Sequence, residues 1–172
     1  NGNWVYINKI EAQGEEGKVG GPSIAIDGSW NAYVLWNFYW TVTIWTTTLM
    51  DSWIFLSKLD SDGNWLRTEV IGNEYNIMVP HRLTLDGSWN AYVMGSDSMN
   101  LFVRKINTNW DVVRNETIQT DPYYYDYNYW IASDWSWNVY IASNFSGTIT
   151  LWSTTLEKVW EYFNAFFAKL DT

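Results

Sequence analysis

The side chains that most often carry catalysis are nearly missing from this chain of 172 residues. It has no cysteine, which excludes disulfides, thiol nucleophiles and thiolate zinc sites. Its one histidine, His81, follows Pro80 at the start of a strand-like stretch and reads as a structural or surface residue. A zinc site needs three or four His, Cys or acidic ligands, and no candidate set is present. No serine stands in a Gly-x-Ser-x-Gly elbow. Asp60-Ser-Asp-Gly-Asn64 superficially has the look of a calcium loop. Its glycine comes two residues early, however, and Ile71 stands where the bidentate glutamate would fall. Turn chemistry accounts for those residues without a metal. The stretch Gly14-Glu-Glu-Gly17 to Gly20-Gly-Pro22 has no lysine in phosphate-loop spacing and reads as a polar connector. The expectation is no catalytic residue, no metal and no cofactor, with the ligand-binding residues unknown.

Aromatic rings are the chemistry that remains. Fourteen tryptophans outnumber eleven glycines. Flat amphipathic rings suit sugar faces and wet interfaces, so glycan binding is one reading of them. Tyr123-Tyr-Tyr125, Tyr127 and Tyr129 form a second aromatic cluster, read as a strand edge or loop patch. Hydrophobic residues make up 47% of the chain and charged ones only 17%, which excludes disorder. No uncharged apolar run reaches the roughly 18 residues of a spanning helix, so membrane insertion is not expected. Ten basic residues against nineteen acidic ones leave a net charge of −9, which repels phosphate backbones and argues against nucleic acid.

The elements that must position these residues come in copies. Asp27-Gly-Ser-Trp-Asn-Ala-Tyr-Val34 recurs unchanged at Asp86 to Val93, and returns as Asp134-Trp-Ser-Trp-Asn-Val-Tyr-Ile141. Ile54-Phe-Leu-Ser-Lys-Leu-Asp60 recurs as Leu101-Phe-Val-Arg-Lys-Ile-Asn107 and as Phe166-Phe-Ala-Lys-Leu-Asp171. A third element, Thr41-Val-Thr-Ile-Trp-Thr-Thr-Thr-Leu49, matches only Thr148-Ile-Thr-Leu-Trp-Ser-Thr-Thr-Leu156. Each copy reads as four short strands, in the first roughly Ser23–Asp27, Ala32–Trp36, Ile54–Leu59 and Trp65–Ile71. Asp27–Asn31 and Asp60–Asn64 suit hairpins built on a type I turn followed by a left-handed residue. Helical spacing over 156–170 competes with this, but repeat identity assigns Phe166–Leu170 to a strand. Four antiparallel strands per repeat predict an all-β β-propeller of about three four-stranded blades, an open arc or fragment of a larger ring. A sandwich is the competing fold. The segments are 1–13 as the last strand of a preceding or closing blade, 21–72 and 80–120 as blades, and 129–172 as a blade lacking its last strand.

The copies also set tryptophan against glycine. Trp135 stands where the other copies have Gly28 and Gly87, Trp36 stands against Gly95, Trp40 against Gly147 and Trp110 against Gly63. A turn residue with positive φ suits glycine and costs about 1–2 kcal/mol for a residue with a Cβ. Restoring glycine gives "IAIDGSGNAYVLGNFYGTVTIGTTTL…FLSKLDSDGNWL", which resembles the bacterial β-propeller repeat family abbreviated SBBP. Its units run as an Asp-x-x-Gly-Asn-x-Tyr-Val strand pair, a Gly-x-Phe-x-Gly-Thr-Val segment and a Lys-Leu-Asp-x-x-Gly-Asn-Trp hairpin. The resemblance spans nearly the whole chain and is weakest in the middle copy. By that comparison Trp4 and Trp65 are family tryptophans. The other twelve (30, 36, 40, 45, 53, 89, 110, 130, 135, 137, 152 and 160) lie at glycine positions or plausible ones. UGA codons read as glycine in the source and rendered here as tryptophan would produce this pattern. The alternative is genuine aromatics selected for stacking.

What the resemblance implies is a non-catalytic, secreted or cell-surface bacterial scaffold for adhesion or protein–protein interaction. The partner would be an unknown protein or glycan, and open blade faces would favour self-association. Asn115-Glu-Thr117 and Asn144-Phe-Ser146 are glycosylation sequons only in a eukaryote, and a bacterial resemblance discounts them. A glycan-binding lectin-like propeller is the alternative function. A propeller lyase or hydrolase fragment is the third, and it would need more channel histidines than His81.

Overall fold

The computed structural model describes residues 3, 5–50, 53–72, 79–96, 100–120, 129–134, 136–145, 147–157, 159 and 164–171. The chain is all-β, with 71% of it in strands, every pairing antiparallel, no sheet closed and no helix among the described residues. It divides into two compact units, Asn1–Tyr75 and Asn76–Thr172.

The first unit is built from β1 (Glu11–Ile26), β2 (Ala32–Ile44), β3 (Thr47–Met50), β4 (Trp53–Leu59) and β5 (Trp65–Val70). The sheet runs β1-β2-β4-β5 in chain order, with β3 beside β2. β2 does two jobs along its length. Ala32–Phe38 pairs with β4, and Thr41–Ile44 pairs with β3 and with the start of β1. A core forms where these halves meet: Phe38, Val42, Ile44 and Phe55 are buried, with Ile10, Val19, Trp36, Leu49 and Trp65 packed against them. The Phe38 and Phe55 rings lie 5.7 Å apart and tilted, a favoured aromatic arrangement.

One expectation needs correction here. Gly14–Pro22, read as a connector, belongs to β1, which begins twelve residues before the expected Ser23. Register shifts between Gln13 and Lys18 and between Gly20 and Ser23 carry the strand through the glycine-rich stretch. Gly14 and Gly21 take positive φ there, 84° and 65°. Bulges of this kind let a strand absorb extra residues and continue.

The second unit contains β6 (Val79–Leu85), β7 (Ala91–Ser96), β8 (Asn100–Ile106), β9 (Val112–Thr120), β10 (Tyr129–Ser133), β11 (Val139–Phe145), β12 (Thr148–Leu151), β13 (Thr154–Glu157) and β14 (Asn164–Leu170). β14 includes the 166–170 segment assigned to strand on repeat identity. Two sheets form, one ordered β13-β12-β9-β8-β7-β6 and the other β10-β11-β14. Tyr92, Met94, Val103, Ile118 and Ile149 of the first sheet share one core with Ile131, Val139, Ile141, Phe166 and Leu170 of the second. β11 shows why. Its residues alternate buried and half-buried, the period of a strand with one covered face.

The recurring Thr-x-Thr segment is a hairpin that reaches back to an earlier strand. In the first unit Val42 pairs with Ala12 and Thr43 with Glu11. In the second, Ile149 pairs with Thr120 and Thr150 with Gln119. Aligning the repeats places Ala12 with Thr120 and Val42 with Ile149, so the two dockings share one register.

Candidate functional site

Three polar clusters recur with the copies, each centred on the first aspartate of the repeated motif. Asp27 follows β1 and opens the turn to β2. Its Oδ1 accepts hydrogen bonds from the backbone N–H groups of Ser29 (2.9 Å) and Asn31 (3.0 Å). Its Oδ2 accepts from Asn31 Nδ2 (2.9 Å) and lies 3.0 Å from Lys58 Nζ. Lys58 Nζ donates in turn to Tyr33 Oη at 2.8 Å. Asp86 repeats this with Ser88 (2.9 Å), Asn90 (3.0 Å) and Lys105 (3.7 Å), the ammonium lying 5.2 Å from the Tyr92 ring centre. Asp134 accepts from Ser136 (2.8 Å), Asn138 (3.0 Å) and Tyr140 Oη (3.2 Å), while Lys169 lies 6.0 Å from the Tyr140 ring.

Asp, Tyr and Lys together are groups that can move protons, so their electrostatics decide their role. Burial alone would raise Asp27, but hydrogen bonds from Asn31, Lys58 and Ser29 outweigh it and hold the carboxyl below its ordinary value. Burial alone would lower Lys58; Tyr33 and Asp27 outweigh it and raise the ammonium instead. Tyr140 is pushed up, first by burial and then by Asp134. A general base or activated phenol needs a pKa moved toward neutrality. Asp27, Lys58 and Tyr140 move away from it, and the hydrogen bonds and ion pairs of the clusters pin each turn to the neighbouring strand. The sequence reading assigned the aspartates to turn chemistry and did not see the Lys and Tyr partners. Both recur at fixed places in the repeats, which is the signal that could have found them.

The turns themselves are the most informative geometry. Five share one hydrogen-bond pattern, opened by Asp27, Asp60, Asp86, Asn107 and Asp134. In each, the opening residue donates its N–H to the carbonyl of the fifth residue, at 2.9–3.0 Å. This is the expected type I turn followed by a left-handed residue. The left-handed place is taken by Trp30 (φ 63°), Gly63 (84°), Trp89 (65°), Trp110 (77°) and Trp137 (66°). Trp45 (53°) and Trp152 (51°) are the first residues of the two-residue turns joining β2 to β3 and β12 to β13. Their following residues, Thr46 and Ser153, do not have positive φ, which is the type II′ pattern that places glycine first. Trp40 (76°) sits between the two halves of β2. Among the described residues, all seven non-glycine positions with positive φ are tryptophans.

Trp36 keeps its Nε1 buried without a partner, and Trp65, a family-type tryptophan, lies in β5 with ordinary extended backbone. Trp130 is exposed on β10 beside Arg82, 4.8 Å from ring centre to guanidinium, and its backbone gives no reason for glycine. Trp30, Trp40, Trp45, Trp137 and Trp152 are exposed, Trp89 and Trp110 half-buried. Asp60 has its carboxylate engaged by Asp62 and Asn64. Asn115 of the first sequon accepts from Arg104, and Asn144 of the second lies within β11. His81 lies in β6, and no group of three or more His, Cys, Asp or Glu able to hold a metal occurs among the described residues. Tyr129 is buried; Tyr123–Tyr127, Trp4, Trp135 and Trp160 lie outside the described residues.

Within the first unit an open groove of about 260 Å³ is lined by Tyr6, Asn8, Ile24, Val34, Trp36 and Trp65, among others. Its walls are largely apolar, with no titratable group besides the Tyr6 phenol. Compared with known proteins, no family model matches the chain and no curated protein does.

Proposed function

We propose that the chain is a segment of a β-propeller whose sheets are four-stranded blades, and that it serves as a non-catalytic, exported bacterial scaffold for adhesion or protein–protein interaction. The observation that carries this reading is the hairpin docking. In both units it reaches back to an earlier strand in one register, so that successive repeats are joined in the same way, as a regular radial array of repeats requires. Support for a non-catalytic role comes from Asp27, Lys58 and Tyr140, whose pKa shifts run away from neutrality.

The same reading takes most of the tryptophans to be glycines in the natural protein, encoded by UGA. Seven of the twelve candidates take positive φ, and two of those open type II′ turns. Left-handed backbone has no use for an indole. A sugar-binding surface would have no reason to place seven of its rings in left-handed backbone, so the lectin alternative loses its main support. The coding DNA tests this directly, with UGA expected at the twelve positions and UGG at Trp4 and Trp65. The functional test is a glycan array and a panel of bacterial surface proteins, both probed with the twelve-glycine form. Protein binding without glycan binding or turnover is expected. Glycan binding retained by that form would overturn the scaffold reading.

A further inference from the structure

The Thr-x-Thr hairpin is present in two copies of the repeat and missing from one. The first copy forms it from the end of β2 with β3, and the third from β12 with β13. In the middle copy only residues 97–99 separate β7 from β8, too few for two strands and a turn. The copy without a hairpin is also the one that opens the second unit. The division falls at Tyr75 and Asn76, ahead of β6. Two departures from an otherwise copied array thus coincide.

Within each unit the hairpin is part of a dense set of ties. In the first, Gln13 Nε2 donates to Thr43 Oγ1 at 2.7 Å across the dock, and Val42 and Ile44 complete the core with Phe38 and Phe55. In the second, the middle and last copies meet repeatedly. β12 docks on β9, and Trp152 Nε1 donates to Glu116 Oε2 at 3.0 Å. Ser133 Oγ lies 3.0 Å from Thr84 Oγ1 and donates to the Leu85 carbonyl. The two sheets also share the core that holds Ile149. The Phe38 core is drawn from residues 10–65 and the Ile149 core from residues 92–170, each from one unit alone.

The stability of a repeat array is the sum of what each repeat contributes and what each junction adds. Where a junction adds little, the array stops unfolding as one body and opens in blocks. We propose that Asn1–Tyr75 and Asn76–Thr172 are separate cooperative folding blocks, and that the hairpin absent from the middle copy sets the break between them. The middle and last copies, which a hairpin ties, open together. A joint of this kind lets one block open under heat or denaturant while the other keeps its fold. Strand pairing and core membership carry this, whatever the chain binds.

Peptide-resolved hydrogen exchange of the full chain in rising urea reads each block by itself. Val42 and Val139 are both fully buried, one in each core. Val42→Ala should lower the urea midpoint of peptides from residues 1–75 by about 1 M and leave the others in place. Val139→Ala should do the reverse. If either change moves both sets of peptides together, the chain is one cooperative body and the proposal is overturned. Ile149, equally buried in the same core as Val139 but placed on the hairpin, tests the cause. Ile149→Ala should part the second unit, so that peptides from residues 129–170 open at lower urea than those from residues 79–120. Val139→Ala should keep those two sets together. A midpoint that falls equally for both sets in Ile149→Ala would show that the hairpin does not couple the copies, and would overturn the assigned cause. None of these readouts needs a ligand, so a failed partner search would count against the functional reading alone.

Discussion

Left-handed backbone costs a residue with a Cβ about 1–2 kcal/mol, and seven described tryptophans occupy it. Together that is about 7–14 kcal/mol, as large as the whole net stability of an ordinary domain, about 5–15 kcal/mol. Trp30, Trp89 and Trp137 hold one place in three equivalent turns, so they form a matched set. Each change to glycine should stabilise by about 1–2 kcal/mol, read as a higher urea midpoint. Trp65→Gly should do the reverse, because Trp65 packs against the first unit's core in extended backbone. Destabilisation by all three turn changes would make those indoles packing residues and end the recoding reading. The turn carboxylates give a second test. Asp27, Asp60 and Asp134 are all held below the ordinary aspartate value of 3.8. A lowered carboxylate contributes stability that is complete above its unfolded value and is lost as pH falls through the folded one. Lys58, raised above 10.5, contributes fully below that value and loses its share at higher pH. Melting temperature should therefore fall below about pH 4 and again in strong alkali, with these groups neutral to change between.

At the scale of the element, each hairpin buries one residue at an equivalent place. Val42 and Ile149 stand at equivalent places and are fully buried. Ile149→Ala should cost about 2–5 kcal/mol, while its half-exposed neighbour, changed as Thr150→Ala, should shift stability by no more than about 0.5 kcal/mol; chemical denaturation measures both. Equal effects would mean the hairpin is not anchored through that side chain. Strand positions such as Ala32–Trp36 and Ile54–Leu59 were legible because copied motifs and alternation mark them. The run of β1 through Gly14–Pro22 was not, since bulges break the period that reveals a strand. The pairing of Val42 with Ala12 was also invisible, because register between distant strands leaves no local signature. Of the candidate site, the turns were legible from Asp27-to-Asn31 chemistry. The Lys58 and Tyr33 contacts needed the strands brought side by side.

For the whole molecule, self-association is the expected behaviour. Ile24 and Ile26 on β1 and Phe167 on β14 are exposed apolar residues on sheet surfaces, and contiguous apolar surface of a few hundred Å² marks interaction or aggregation. A net charge of −9 opposes this by repulsion between chains. Salt screens that repulsion, so scattering mass should rise between low and physiological ionic strength. Returning the twelve tryptophans to glycine separates the causes. Association that survives assigns it to the open sheet edges; its disappearance assigns it to the indoles. A chain that stays monomeric as written, in salt, would sink the expectation.

The backward reach of the hairpins also gives the chain an arrow in time. Each hairpin clasps a strand made about thirty residues earlier, so during synthesis from the N-terminus the dock is always finished before the part that docks arrives. Glu11 and Ala12 can wait for Thr43 and Val42, and Gln119 and Thr120 for Thr150 and Ile149. A ribosome building such a protein would add one repeat after another, each hairpin clasping a strand already made.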